Sequence, residues 1–155
     1  MQRKISFHVP SPDETEILAR RLGDCLRSGD CLLLSGPIGA GKSHFARALI
    51  QSRLRRPEEI PSPTFTLVQI YELDFSELWH CDLYRLSDPL EVIELGLLEA
   101  FDDAICLIEW PDRLQDLSPP TALHLEIVAD PKSILARTII LTWQDPSWDK
   151  RMSTL

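Results

Sequence analysis

Gly36, Gly41, Lys42 and Ser43 stand in the order G-x-x-x-x-G-K-S. That spacing suits one kind of chemistry, the grip on a chain of phosphates. Glycine lets the backbone curl until consecutive N–H groups converge on anionic oxygens. A helix opening at Lys42 adds the positive end of its dipole. Lys42 supplies a mobile point charge for the outer phosphates, and the Ser43 hydroxyl is a hard oxygen suited to Mg²⁺. The candidate nucleotide-contacting residues of this stretch are Gly36, Ile38, Gly39, Ala40, Gly41, Lys42, Ser43 and His44. Binding alone is not hydrolysis. Phosphoryl transfer also needs a second metal-holding group and a residue that places the nucleophile. Two carboxylates qualify, each closing an apolar run: Asp82 after Leu78-Trp79-His80-Cys81, and Glu109 after Ala104-Ile105-Cys106-Leu107-Ile108. Lys42, Asp82 and Glu109 are therefore the candidate catalytic residues, and Asp82 and Glu109 both stand open as the carboxylate that joins Ser43 on Mg²⁺. The chain has no asparagine, so it cannot carry the Asn-Lys-x-Asp guanine reader of switch-type GTPases, and ATP is the expected nucleotide.

The elements that must position these groups follow from periodicity. Residues 31–34 read as a buried strand, and residues 42–54 as a helix with Phe45, Ala48, Leu49 and Leu54 near helical spacing. Upstream, residues 4–9 alternate as a strand. Ser11-Pro12-Asp13-Glu14 opens a helix with Ser11 as cap and Pro12 at the first turn. Its buried stripe is Leu18, Leu22, Cys25 and Leu26. Prolines 57, 61 and 63 force an extended loop. Residues 66–73 and 78–82 then read as a hairpin-like pair of strands. Ser87-Asp88-Pro89 starts a helix that Gly96 interrupts, with a second short helix over 97–101. Residues 104–109 form a continuous apolar strand of the kind buried on both faces of a sheet. Residues 111–117 read as a turn or short helix. Residues 121–129 and 137–143 alternate as two final strands, antiparallel or edge-like, and the tail from Gln144 reads as frayed. The order of strands and helices predicts an α/β sandwich of P-loop NTPase type, with a mixed, mainly parallel sheet flanked by helices. In such sheets ligands bind beyond the carboxyl ends of the strands, where the loop, Asp82 and Glu109 all fall.

With 155 residues the chain suits a single domain, and 44% apolar against 26% charged residues describes a globular protein. The net charge of −8 argues against a general nucleic-acid binder, which needs a phosphate-neutralising face. Arg53, Arg55 and Arg56 form a basic cluster that reads as a solvated helix end complementing the dipole. Cys25, Cys31, Cys81 and Cys106 contain no C-x-x-C pair, so reduced core thiols are expected. His80, Cys81 and His124 lack zinc-ligand spacing. The first ten residues lack an apolar leader run, and no segment reaches membrane-spanning length, so a cytoplasmic protein is expected.

Four blocks occur in order: the G-x-x-G-A-G-K-S loop; Ser62-Pro63-Thr64-Phe65-Thr66-Leu67-Val68; His80-Cys81-Asp82-Leu83-Tyr84-Arg85-Leu86; and Ile108-Glu109-Trp110-Pro111. Together they resemble the TsaE family, small bacterial ATPases of the tRNA threonylcarbamoyladenosine pathway. The resemblance spans roughly residues 11 to 114, and the second and third blocks are more diagnostic than the first. It implies ATP and Mg²⁺ as cofactors, with Ser43 and Glu109 on the metal and Asp82 beside the phosphates, active in hydrolysis. It implies that the Ser62–Thr64 segment is a switch-like loop with Thr64 near the γ-phosphate, that Thr15 lies near the base, and that Trp110 borders the nucleotide. It also implies a weak ATPase completed by protein partners, the TsaB–TsaD complex, with no sequence-specific nucleic-acid contact of its own. Pro37 departs from the Asp frequent in the family, and Ser43 from the commoner Thr. Two alternatives stand beside this reading: a small-molecule P-loop kinase, and a non-enzymatic nucleotide-sensing module. Such a kinase needs an Arg-rich lid, and between Glu109 and Thr121 the only basic residue is Arg113. Arg85, Arg113 and Arg137 could each serve phosphate or a partner.

Overall fold

Cys31-Leu32-Leu33-Leu34 is apolar on both sides of the backbone, so as a strand it must be covered on both faces. In the computed structural model, which describes residues 1–155, it forms β2 (Cys31–Ser35) at the middle of a seven-stranded sheet. The other strands are β1 (Arg3–Val9), β3 (Val68–Glu72), β4 (Glu77–Asp82), β5 (Ile105–Glu109), β6 (Leu123–Asp130) and β7 (Ser133–Trp143). Their order across the sheet is β1-β7-β6-β2-β5-β4-β3. β6, β2, β5 and β4 run parallel, while β1, β7 and β3 attach antiparallel. The sheet is thus mixed, parallel through its centre, as the alternation of strands and helices predicts.

Side chains alternate across β2 and split the core in two. Leu32 and Leu34 join a cluster with Leu18 and Leu22 of α1 (Pro12–Cys25) and Phe45 and Leu49 of α2 (Lys42–Arg53). Cys31 and Leu33 face the other way, toward Val92 of α3 (Leu90–Glu94) and Leu97 and Ala100 of α4 (Leu97–Asp103). Each fully buried Leu contributes about 1.5–3 kcal/mol of transfer free energy, so β2 is anchored from both sides. α1 begins as its sequence directs, with the Ser11 hydroxyl accepting from the Glu14 N–H and Pro12 in the first turn. α2 has no side-chain cap: Gly41 occupies that position at φ 108. Its first N–H groups are therefore left for a ligand.

Two expectations change, and one pair of alternatives is decided. The strand expected from residue 66 starts only at Val68, because residues 63–66 form a turn and Leu67 follows at φ 68 with its N–H bonded to Pro63 O at 2.7 Å. The two final strands are antiparallel to each other, but neither is an edge. β6 lies against β2 and β7 lies between β6 and β1, so the edges fall to β1 and β3. The tail from Gln144 is not frayed. Asp145 accepts from the Ser147 N–H to cap a 3₁₀ turn (Pro146–Trp148), which leads into α5 (Asp149–Ser153). Trp148 and Met152 are each 1% exposed, and Trp148 Nε1 donates to Thr121 O at 2.8 Å. Arg151 stacks on the Trp148 ring and bonds Asp30. An indole of this size, with its N–H satisfied, holds a short tail that has little helix-forming strength of its own. No helix is long and apolar enough to cross a membrane.

Candidate phosphate-binding site

The parallel register places the chemistry. Asp82 at the end of β4 pairs with Glu109 at the end of β5, and Leu34 of β2 pairs with Glu109 from the other side. The loop leaving β2 therefore rises beside both carboxylates, at the carboxyl edge of the sheet. Gly36 opens the loop at φ 149, and a Cβ there would sit 2.8 Å from Ile127 O of β6. Only glycine fits so close to a neighbouring backbone.

Lys42 is 6% exposed. Its ammonium donates to Gly36 O and, at 3.2 Å, to Pro37 O, and lies 4.0 Å from the centre of the Trp110 ring. Burial pushes its pKa below the ordinary lysine value, and the charges of Glu109 and Asp82 partly offset this. Asp82 is 5% exposed. One of its oxygens accepts from the Tyr84 N–H at 3.0 Å and the other from the Thr64 hydroxyl at 3.2 Å. Ser62 and Thr64 share a hydrogen bond of 2.8 Å. Glu109 is held at both oxygens: Oε1 accepts from Ser43 Oγ at 3.2 Å and Oε2 from His80 Nε2 at 2.7 Å. Trp110 follows at φ 58, its ring 4.9 Å from that of Tyr84.

Ser43 Oγ and Glu109 Oε1 pass a test for Mg²⁺. Both are hard oxygens, and their 3.2 Å separation is close to the roughly 3 Å cis edge of an octahedron with bonds of about 2.1 Å. No group of three or more His, Cys, Asp or Glu side chains is placed to hold a metal ion, so phosphate oxygens and water would complete such a shell. His80, Cys81 and His124 do not come together. The first two are successive residues of β4 and face opposite sides, and β6 lies beyond β5 and β2.

Two cavities flank the loop. The first, about 430 Å³, is lined by Ile38, Gly39, Gly41, Lys42, Ser43 and His44 of the loop and helix start, with Thr64, Asp82, Glu109 and Trp110 around them. Tyr84 completes its wall. The second, about 220 Å³, is lined by Pro12, Thr15 and Ala40, with Ile134, Leu135 and Arg137 opposite, and it shares Gly41 and His44 with the first. Thr15 and Ala40 thus belong to the second cavity, and Gly36 lines neither. Pro37 also lines neither, and it contributes a carbonyl to Lys42. Sequence reasoning about sites missed Tyr84 and His80, and it named Arg137 only as a weak candidate beside Arg85 and Arg113. His80 and Tyr84 lie two residues either side of Asp82, and strand alternation could have set His80 on the same face. Arg137 carried no local signal: its contact to Ala40 spans 97 residues.

The family description "Threonylcarbamoyl adenosine biosynthesis protein TsaE" matches residues 9–139, a span that holds every residue of both cavities. The chain belongs to the TsaE family. It is 39% identical over 119 residues to the tRNA threonylcarbamoyladenosine biosynthesis protein TsaE of Rickettsia conorii, covering 77% of this chain and 68% of that one. It is 32% identical over 126 residues to the TsaE of Bacillus subtilis, covering 81% and 78% respectively. The crystal structure of Bacillus subtilis YdiB superimposes with a TM-score of 0.80 over 99% of this chain and 95% of that one, at 24% identity, and shares its fold. The part of this TsaE-family chain beyond residue 139 contains the packing around Trp148, outside the matched span.

Proposed function

We propose that residues 1–155 act as one ATPase domain that binds ATP with Mg²⁺ and hydrolyses it. It works with the TsaB–TsaD complex in the N6-threonylcarbamoylation of adenosine 37 of tRNA, in the cytoplasm. One observation carries this reading: Lys42, Ser43, Thr64, Asp82 and Glu109 come from four separate segments and line a single cavity at the carboxyl ends of parallel strands. The phosphates occupy that cavity, with the N–H groups at the start of α2 and the Lys42 ammonium around them. Lys42 exchanges the Gly36 and Pro37 carbonyls for phosphate oxygens, which relieves the burial of its charge. Ser43 and Glu109 hold Mg²⁺, which neutralises charge on the outer phosphates. Asp82 orients the attacking water, and its hydrogen bond to Thr64 ties the Ser62–Thr64 segment to the occupancy of the cavity. The base lies in the second cavity, against Thr15.

Hydrolysis is slow in the isolated chain. Phosphoryl transfer commonly uses an arginine supplied in cis or by a partner. Lys42 and His44 are the only basic side chains lining the phosphate cavity. A net charge of −8 suits a protein partner rather than direct capture of RNA. The test is Mg²⁺-dependent ATP hydrolysis by the chain alone and with purified TsaB and TsaD. Slow turnover that rises with the partners is expected. Brisk turnover indifferent to them, or phosphate transfer to an added metabolite, would overturn the proposal.

A further inference from the structure

Arg137 stands on β7, paired with Val9 of β1 and Ala129 of β6. Its guanidinium reaches out of the sheet to the loop. Nε donates to Ala40 O at 2.9 Å, and Nη1 donates to Ile134 O and Ala136 O, each at 2.8 Å. Arg137 forms no ion pair. A planar fork bonded to carbonyls of two separate segments is fixed in orientation, and it fixes them in turn. Ala40 is 3% exposed, so its carbonyl has little access to water and needs a partner from the protein.

We infer that Arg137 is a positioning residue for phosphate binding, which holds the Ala40–Gly41 peptide so that the Gly41 N–H turns into the phosphate cavity. The inference rests on the reading of that cavity given above. No peptide bond in the chain is cis, and in a trans peptide the C=O and the next N–H point in opposite directions. Ala40 and Arg137 line the second cavity and not the first, whereas Gly41 lines both. The Ala40 carbonyl drawn toward Arg137 therefore aims the Gly41 N–H away from it. That N–H has no acceptor within the chain. Gly41 can hold this orientation because its φ of 108 suits glycine and a Cβ there would meet nothing within 4 Å. The conformation is open to a peptide flip unless something outside the loop holds it. Arg137 does so from the β6–β7 hairpin.

The experiment uses inorganic tripolyphosphate, which has phosphates and no base, beside ATP, with affinities measured by calorimetry for the full chain. The variants are Arg137→Gln, which removes the charge and the fork, and Arg137→Lys, which keeps the charge and loses the fork. Removal of a hydrogen bond made by a charged group predicts affinities for both ligands weaker by about ten- to a hundred-fold in Arg137→Gln. Arg137→Lys falls between that variant and the wild type. The Gly41 amide resonance, which moves on addition of tripolyphosphate to the wild type, loses that response in Arg137→Gln. Unchanged tripolyphosphate affinity in both variants overturns the inference, even where ATP affinity drops, because Arg137 would then act on the base. Should Arg137→Gln not fold, Arg137→Lys decides alone, and wild-type tripolyphosphate affinity in it overturns the inference. Wild-type protein that binds neither ligand overturns the reading of the cavity and this inference together. Wild-type protein that binds both, with variants equally tight, overturns the inference alone.

Discussion

Replacing His80 by Leu tests how Glu109, the proposed Mg²⁺ ligand, is held. The side chains of His80 and Glu109 are each 2% exposed, and 2.7 Å separates Nε2 from Oε2. With Nε2–H donating to the carboxylate, Nδ1 is the bare nitrogen of the ring, and it has no partner. Loss of a hydrogen bond to a charged acceptor costs about 1.5–3 kcal/mol. Removing the ring also removes its orphaned Nδ1, which offsets about 1 kcal/mol. The net destabilisation is about 0.5–2 kcal/mol, which lowers the unfolding midpoint by about 1–8 °C in a chain of this size. The metal consequence is larger. Free to rotate, Glu109 no longer keeps Oε1 beside the Ser43 hydroxyl, and outer-shell losses of this kind cost about ten- to a hundred-fold in metal affinity. The assay is calorimetric ATP binding across a Mg²⁺ titration, with thermal unfolding in parallel. The Mg²⁺ midpoint of His80→Leu rises by that factor, while ATP binding without metal changes little. His80→Gln, which retains an N–H donor, recovers part of the loss. An unchanged Mg²⁺ midpoint, together with a wild-type unfolding temperature, would refute the reasoning.

Three further outcomes are expected. Burial holds the Lys42 pKa below its ordinary 10.5, so ATP affinity falls as pH rises through that lowered value; a fall centred at or above 10.5 would remove Lys42 from the role. The linked stability has the opposite sign: the unfolded chain binds that proton more tightly, so this group makes folding more favourable as pH rises between the folded and unfolded values, which denaturant titrations across that interval would detect. Gly36→Ala puts a Cβ at 2.8 Å from Ile127 O in a backbone region that disfavours side chains; calorimetry should find ATP affinity reduced by more than about ten-fold while circular dichroism shows the fold retained. Trp148→Ala empties a 1%-exposed site at a cost of about 3–5 kcal/mol, and the unfolding midpoint drops by about 6–20 °C with ATP affinity intact in the folded protein.

The loop was legible because its mechanism is local. Gly36, Gly41, Lys42 and Ser43 need only their own spacing to form the glycine turn at the start of α2 that is proposed to cradle phosphate, and β2 and α2 on either side follow from short-range periodicity. Asp82 and Glu109 were legible for a similar reason, each being a carboxylate that closes an apolar run. That they stand side by side was not, since it depends on β4 and β5 pairing in parallel with Asp82 opposite Glu109. The hydrogen bond from His80 to Glu109 depends on the same register.

What the sequence left undecided was set by contacts distant along the chain. Alternation in 121–129 and 137–143 identified two strands, but not that β6 would pair with β2 and leave β1 as the edge. The last residues lack helical strength by themselves, yet Trp148 finds the Thr121 carbonyl 27 residues away and Arg151 finds Asp30. Thr15 and Arg137 reach the loop from α1 and β7 because the sheet carries both elements to its carboxyl edge. The sequence by itself determined the chemistry at each position and the type of most elements, since spacing and periodicity act over a few residues. Only the tertiary structure decided which side chains share a cavity, which strands lie at the edges, and what holds the loop, because pairing and burial join residues that the chain keeps far apart.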